Sequence, residues 1–126
     1  MSKARLSIFI YSIYLAGSGL IVALIPNQVL PLVGLPTTNE IWIRLFCALA
    51  VVLGVKGLHY SRMENVSMFQ LDVYTRTCFA TFLLIFVLLG EARPILLTLS
   101  VIDYCGALWT QLAIWSDRRA AQLKTA

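Results

Sequence analysis

The stretch Ile95-Leu-Leu-Thr-Leu-Ser-Val-Ile-Asp-Tyr-Cys-Gly-Ala-Leu-Trp-Thr-Gln-Leu-Ala-Ile114 is twenty residues long and carries a single charge, Asp103. A helix that crosses a bilayer needs about 20 mostly apolar residues, within a range of about 17 to 25. Three further runs share this length and character: Leu6 to Ile25, Ile41 to Leu58 and Val73 to Leu89. The chain of 126 residues is 60% hydrophobic and 13% charged, with mean hydropathy +0.83, so little polar sequence is left for a soluble domain. The expected fold is all-α, a four-transmembrane-helix antiparallel bundle, with residues 1–126 forming one integral membrane domain.

Lys3 and Arg5 give the first run the start of a signal peptide. The run exceeds the usual h-region, however, and no A-x-A-like site follows it before Pro26, so it is expected to stay as a signal-anchor helix. A net charge of +4 and a pI of about 9.2 raise nucleic acid as a partner. The basic residues sit at helix ends, where they orient the protein and meet anionic lipid head groups, and the nucleic-acid reading is dropped. Lys3, Arg5, Lys56, Arg62, Arg76, Arg118, Arg119 and Lys124 fall on one side of the bilayer, against Arg44 and Arg93 on the other. The positive-inside rule then places both termini and the loop from His59 to Asp72 in the cytoplasm, with the chain in the plasma (inner) membrane. Trp42 at the outer boundary and Tyr60, Tyr74 and Trp115 at the inner one suit interfacial anchors.

The segment Asn27-Gln-Val-Leu-Pro-Leu-Val-Gly-Leu-Pro36 is broken by two prolines and a glycine and cannot be a fifth span. It is expected at the outer interface or folded over the bundle mouth. Thr37 and Glu40 have the spacing of a capping box that would start the second span. The stretch from Ser61 to Asp72 reads as a mixed loop with room for a short interfacial turn. Gly90 should stop the third span, and Pro94 suits the first position of the fourth. The connection between them is so short that these two spans must be antiparallel neighbours.

Small residues recur at helical spacing in every span: Ser12, Ala16, Gly19 and Ala23; Cys47, Ala50, Gly54 and Gly57; Thr77, Ala80 and Thr81; Ser100, Asp103, Ala107 and Thr110, with Gly106 beside them. Lipid tails give helices no hydrophobic reason to associate, so close backbone approach through small residues packs a membrane bundle. These stripes are the expected interior faces. Cys47, Cys78 and Cys105 each lie inside a span without paired metal-site spacing, and they read as small buried hydrophobes with no disulfide. Trp42-Ile-Arg44-Leu-Phe-Cys-Ala48 faintly echoes Tyr74-Thr-Arg76-Thr-Cys-Phe-Ala80, but two short strings do not make an inverted repeat.

Asp103 is the most informative side chain. It lies about 13 Å below the outer end of its helix, where an acid costs on the order of 2.5–3.5 kcal/mol to insert and marks a functional-site hypothesis. Because it falls on the small-residue stripe it should face the interior, paired or protonated and hydrogen-bonded. Two readings stand for it: a functional acid, or one that fixes helix register. Arg44 is the first choice of partner and Arg76, entering from the cytoplasmic side, the second; either can instead snorkel to its nearest interface. Thr110, Trp109 and Tyr104 complete the candidate buried polar site, and Tyr11, Tyr14, Tyr104 and Trp109 either line a small-molecule cavity or pack with their polar ends satisfied. His59, the single histidine, is a candidate ligand for haem or a metal, yet a metal site needs further ligands and none is expected. No phosphate loop, G-x-S-x-G, H-E-x-x-H or C-x-x-C is present.

The order of features resembles a group of small bacterial four-span proteins, the DoxX-like proteins. The residues that carry the likeness are Pro26 through Leu-Pro-Leu-Val-Gly-Leu-Pro36, Trp42-x-Arg44, Gly54 to Tyr60, Arg76, and Asp103-x-x-Gly-Ala-x-Trp-Thr110. The resemblance implies association with membrane redox systems, quinone-linked ones among them, as analogy only. Three functions are compatible with the sequence. The first is an accessory or interaction subunit, embedded in the lipid bilayer and associating with itself or a larger membrane complex. The second is a membrane enzyme or redox subunit that holds a hydrophobic substrate, quinone or haem near Asp103 and Arg44. The third is a small proton-coupled transporter with Asp103 as carrier. No cofactor is required by the sequence.

Overall fold

A computed structural model describes residues 2–39 and 41–125. Among the described residues, five α-helices follow one another: α1 (Lys3–Leu24), α2 (Pro26–Val29), α3 (Trp42–Met63), α4 (Val66–Leu88) and α5 (Leu97–Thr125). Short 3₁₀ turns at Leu30–Val33 and Pro94–Leu96 extend α2 and lead into α5. Among the described residues there is no strand, and the fold is all-α. α1, α3, α4 and α5 are long and apolar enough to cross a membrane.

Local chemistry sets each boundary. Ser2 caps α1 by accepting from the Arg5 N–H at 3.1 Å. Pro26 ends it, because the residue before a proline is pushed out of the α region, and Ile25 sits at φ −133°, ψ 58°. Gly34, at φ +77°, closes the 3₁₀ turn. The Pro26–Val33 stretch is thus a tight helical elbow that buries Pro26 and Leu30 and leaves Leu32 outside. At the far end of α4, the Gly90 N–H donates to the Val87 carbonyl and the Glu91 N–H to that of Phe86, closing a Schellman motif around Gly90 at φ +80°.

Three expectations about ends are corrected. The Thr37–Glu40 capping box does not start α3: Ile41 stands at its N-cap with no side-chain bond, and Glu40 lies outside the described residues. The mixed loop from Ser61 to Asp72 is almost wholly helical, reduced to Glu64 and Asn65. Asn65 caps α4 by accepting from Ser67 N at 3.0 Å and Met68 N at 3.3 Å, while Glu64 takes the left-handed conformation that turns the chain. The fourth span, α5, also runs past its apolar stretch to Thr125. Apolar runs mark the part of a helix that meets lipid, and the hydrogen-bond ladder continues into polar sequence.

α1 is the hub. It packs most extensively on α3 and secondarily on α5, which in turn packs on α4; α3 and α4 touch only slightly, although two residues join them. The α1–α3 seam is built from small residues. A Cβ on Gly54 would lie 2.7 Å from both the Ala16 nitrogen and its Cβ, and one on Gly19 would lie 2.9 Å from the Cys47 carbonyl. Gly57 makes room for the Ser12 hydroxyl. Large apolar side chains cover the outside of all four long helices, the arrangement lipid requires. Ala4, Ile8, Phe69, Val73, Ala107, Ala113 and Ile114 form a core between α1, α4 and α5 on the side of the chain termini.

Candidate functional site

The buried face of α5 is Ser100, Asp103, Ala107, Thr110, Ala113 and Ile114, a spacing of three and four that keeps one stripe on one side. Asp103 is 6% exposed and points into the bundle. Its hydrogen-bond partner comes from α1: the Tyr11 hydroxyl donates to Asp103 Oδ1 at 2.6 Å. Arg76 of α4 lies over the other part of that tyrosine, its guanidinium carbon 3.5 Å from the ring centroid. A desolvated cation on an aromatic face gains about 2 kcal/mol. Arg76 is 5% exposed and forms an ion pair with Asp72, one turn earlier on the same helix.

Gly106 explains how a guanidinium fits into so narrow a space. A Cβ there would lie 3.3 Å from Arg76 Nη1 and 3.8 Å from Tyr11 Cδ2, so the missing side chain is the volume these two occupy. Three helices are thereby tied through one cluster: Tyr11 from α1, Asp72 and Arg76 from α4, Asp103 and Gly106 from α5. Further polar pairs extend along the α1–α5 seam towards the termini. Ser7 and Thr110 are 3.0 Å apart and both fully buried, with Ser7 also donating to the Ala4 carbonyl. At the seam's end, Asp117 accepts from the backbone N–H groups of Lys3 and Ala4, at 3.3 and 3.0 Å. A carboxylate on the first N–H groups of a helix complements its dipole, so α5 caps α1. On the opposite side of Asp103, Ser100 donates to the Ala80 carbonyl at 3.1 Å.

Arg44 is not brought to Asp103. It is exposed at the far end of α3, beside an open cavity of about 290 Å³ that Asn27, Thr38, Asn39 and Ile41 also line. The reason is the packing order, since α3 lies against α1 and not against α5. Arg76, the second choice, reaches the cluster over the Tyr11 ring but pairs with Asp72. Thr110 pairs with Ser7, nearer the termini than the cluster. Tyr104 lies at the edge, its hydroxyl 2.7 Å from that of Thr81, and Trp109 is 45% exposed on the outer surface. His59 is exposed, its ring 6.5 Å from that of Tyr60. Tyr14 is 6.0 Å from Tyr11, ring to ring, and outside the cluster's hydrogen bonds.

Two members went unrecognised in the sequence. Asp72 reads as the end of a loop, although Asp72-x-x-x-Arg76 already has the i, i+4 spacing of a helical ion pair. Tyr11 reads as one of several lining aromatics, and nothing local distinguishes it from Tyr14. The inward stripe of α4 is also corrected. It is Phe69, Val73, Arg76 and Ala80, while Thr77 and Thr81 are exposed and donate to carbonyls of their own helix.

Chemically the cluster offers two carboxyl groups, one guanidinium and one phenol, held at fixed geometry by three helices. It is suited to binding or shifting a proton and to fixing helix register. Among the described residues, no group of three or more histidines, cysteines and acids is placed to hold a metal ion. No family model, no curated protein and no solved structure matches this chain.

Proposed function

We propose that the chain is a small inner-membrane subunit that works by association, with itself or within a larger membrane complex, and keeps both termini in the cytoplasm. One observation carries this reading. α3 is fastened to the rest of the bundle almost entirely through α1, so most of its circumference, from Trp42 through Leu49 to Val55, is open to lipid or to another helix. The polar interior supports it as well, because Asp72, Arg76, Tyr11 and Asp103 are engaged with one another inside the bundle. The resemblance to DoxX-like proteins suggests membrane redox systems as the setting of such a complex.

The test is purification from native membranes in a mild detergent, followed by native mass measurement and an absorbance spectrum. A species heavier than one chain, without haem or flavin bands, supports the subunit reading. A lone chain that carries such bands identifies a redox protein in its own right and sinks it. For the orientation, cysteines introduced at residues 2 and 125 in a background without the native cysteines should resist an impermeant thiol reagent in intact cells. Labelling of residue 125 from outside would reverse the assignment.

A further inference from the structure

The cluster around Asp103 carries one negative charge too many. An arginine stays protonated in proteins, so Arg76 sets one positive charge against two carboxyl groups. Its ion pair goes to Asp72, whereas the hydrogen-bond partner of Asp103 is the neutral phenol of Tyr11. Arg76 reaches Asp103 only through space. The neighbouring elements do not restore the balance: α1 brings Tyr11 and Tyr14, and α4 brings Asp72 and Arg76. α3 lies behind α1 and keeps Arg44, Lys56 and His59 exposed. With both acids ionised the cluster would hold one negative charge in excess around Asp103, itself 6% exposed, and burying such a charge is far costlier than taking up a proton.

The seam between α1 and α5 gives this proton a side. Going from the termini inward, it carries Asp117 against the start of α1, then Ser7 with Thr110, then Tyr11 with Asp103. These polar groups line the seam on the side of the termini, with Ser7 donating to the Ala4 carbonyl and facing Thr110. Past Asp103 the character changes. Ser100 turns away from α1 and donates to the Ala80 carbonyl of α4, and the Thr81–Tyr104 hydroxyl pair lies exposed between α4 and α5.

From the charge count and this one-sided polar seam we infer that Asp103 is a proton-binding site within the membrane, filled from the aqueous side on which both termini lie. Loading forms one O–H bond on the Asp103 carboxyl and takes one proton from water at that end; unloading returns it there. Tyr11 holds the carboxyl through its hydrogen bond, and Arg76, engaged by Asp72, stays a spectator to the transfer. The inference stands whether or not the chain has a partner.

Infrared difference spectroscopy tests it on the whole chain in lipid nanodiscs. Going from mildly acidic to alkaline buffer should remove a protonated-carboxyl C=O band, which is absent from Asp103→Asn and shifted in Tyr11→Phe. Asp72→Asn frees Arg76 to pair with Asp103 and should abolish the band at every pH, which keeps the test open if Asp103→Asn fails to fold. In liposomes of known orientation, the band should follow the pH on the side of the termini. A wild-type chain without the band, a band surviving in Asp103→Asn or Asp72→Asn, or titration from the opposite side overturns the inference.

Discussion

The α1–α3 seam and the α1–α4–α5 cluster lie side by side on the same central helix and are held by different physics. In the first, Ala16 and Gly19 meet Gly54 and Cys47 so closely that a single added carbon would strike backbone. In the second, the helices are joined by a phenol, a guanidinium and two carboxyl groups. Close small-residue contact depends on shape alone and tolerates no growth. A polar cluster depends on a complete set of partners and tolerates no loss. α1 serves both because Ser7 and Tyr11 face α5 while Ala16 and Gly19 face α3.

Substitutions separate the two modes. Arg76→Leu should have the largest effect, because it leaves the partly buried Asp72 without its cation; breaking a buried pair costs about 3–5 kcal/mol. Adding Asp72→Leu to it should recover part of that loss, as read by unfolding in mixed micelles. A double variant no more stable than Arg76→Leu would show that Arg76 holds the helices by packing and not by charge. Gly54→Leu should follow, at about 1–3 kcal/mol for overpacking. Here Ala16→Gly should give little relief, since the added Cβ also meets the Ala16 nitrogen and the Ser12 carbonyl. Full rescue would mean that side-chain volume, and not backbone approach, limits this seam.

Gly106→Ala should cost about 1 kcal/mol. Its Cβ comes tightly only against the end of a guanidinium, which can give way, with Tyr11 Cδ2 at ordinary contact distance, and the change should be visible as an altered Tyr11 environment in near-ultraviolet circular dichroism. An unchanged spectrum would mean that Gly106 does not set the position of Arg76. The smallest effect belongs to Ser7→Ala, which removes one hydroxyl pair from the α1–α5 seam, worth about 0.6 kcal/mol on average between membrane helices. A loss comparable to that of Gly54→Leu would show that the hydroxyl rungs are as essential as the small-residue contact.

The four spans were legible because a bilayer imposes its thickness on the sequence, and no soluble alternative accommodates apolar runs of this length. The inward stripes of α1, α3 and α5 were legible from residue size. α4 escaped that reading because its partner supplies the room: Gly106 and Ala107 on α5 let α4 turn Phe69, Val73 and Arg76 inward. Asp103 stood out because an acid at that depth is costly. Its partners did not, because depth along each helix says nothing about which helices are neighbours. Arg44 sits near the N-terminal end of α3, on the other side of α1. The helical turn before Val73 was hidden for a simpler reason. Polar composition there suggests a loop, whereas Asn65 caps a helix that continues through polar residues.

The capping of α1 by Asp117 has a consequence for how the protein is made. α1 and α3 come from the ribosome one after the other and can pack as soon as both are in the bilayer. The rest of the interior must wait for α5, which brings Asp103, Gly106, Thr110 and Asp117 together. Until it arrives, Arg76 has only Asp72 and the face of Tyr11, and the first N–H groups of α1 have only Ser2. The fourth span is also the one that carries a mid-membrane acid, so its insertion is favoured when Tyr11 is already in place to receive it. Completion of the bundle is therefore a late step in biogenesis, and a chain arrested before α5 should expose its buried arginine to membrane quality control.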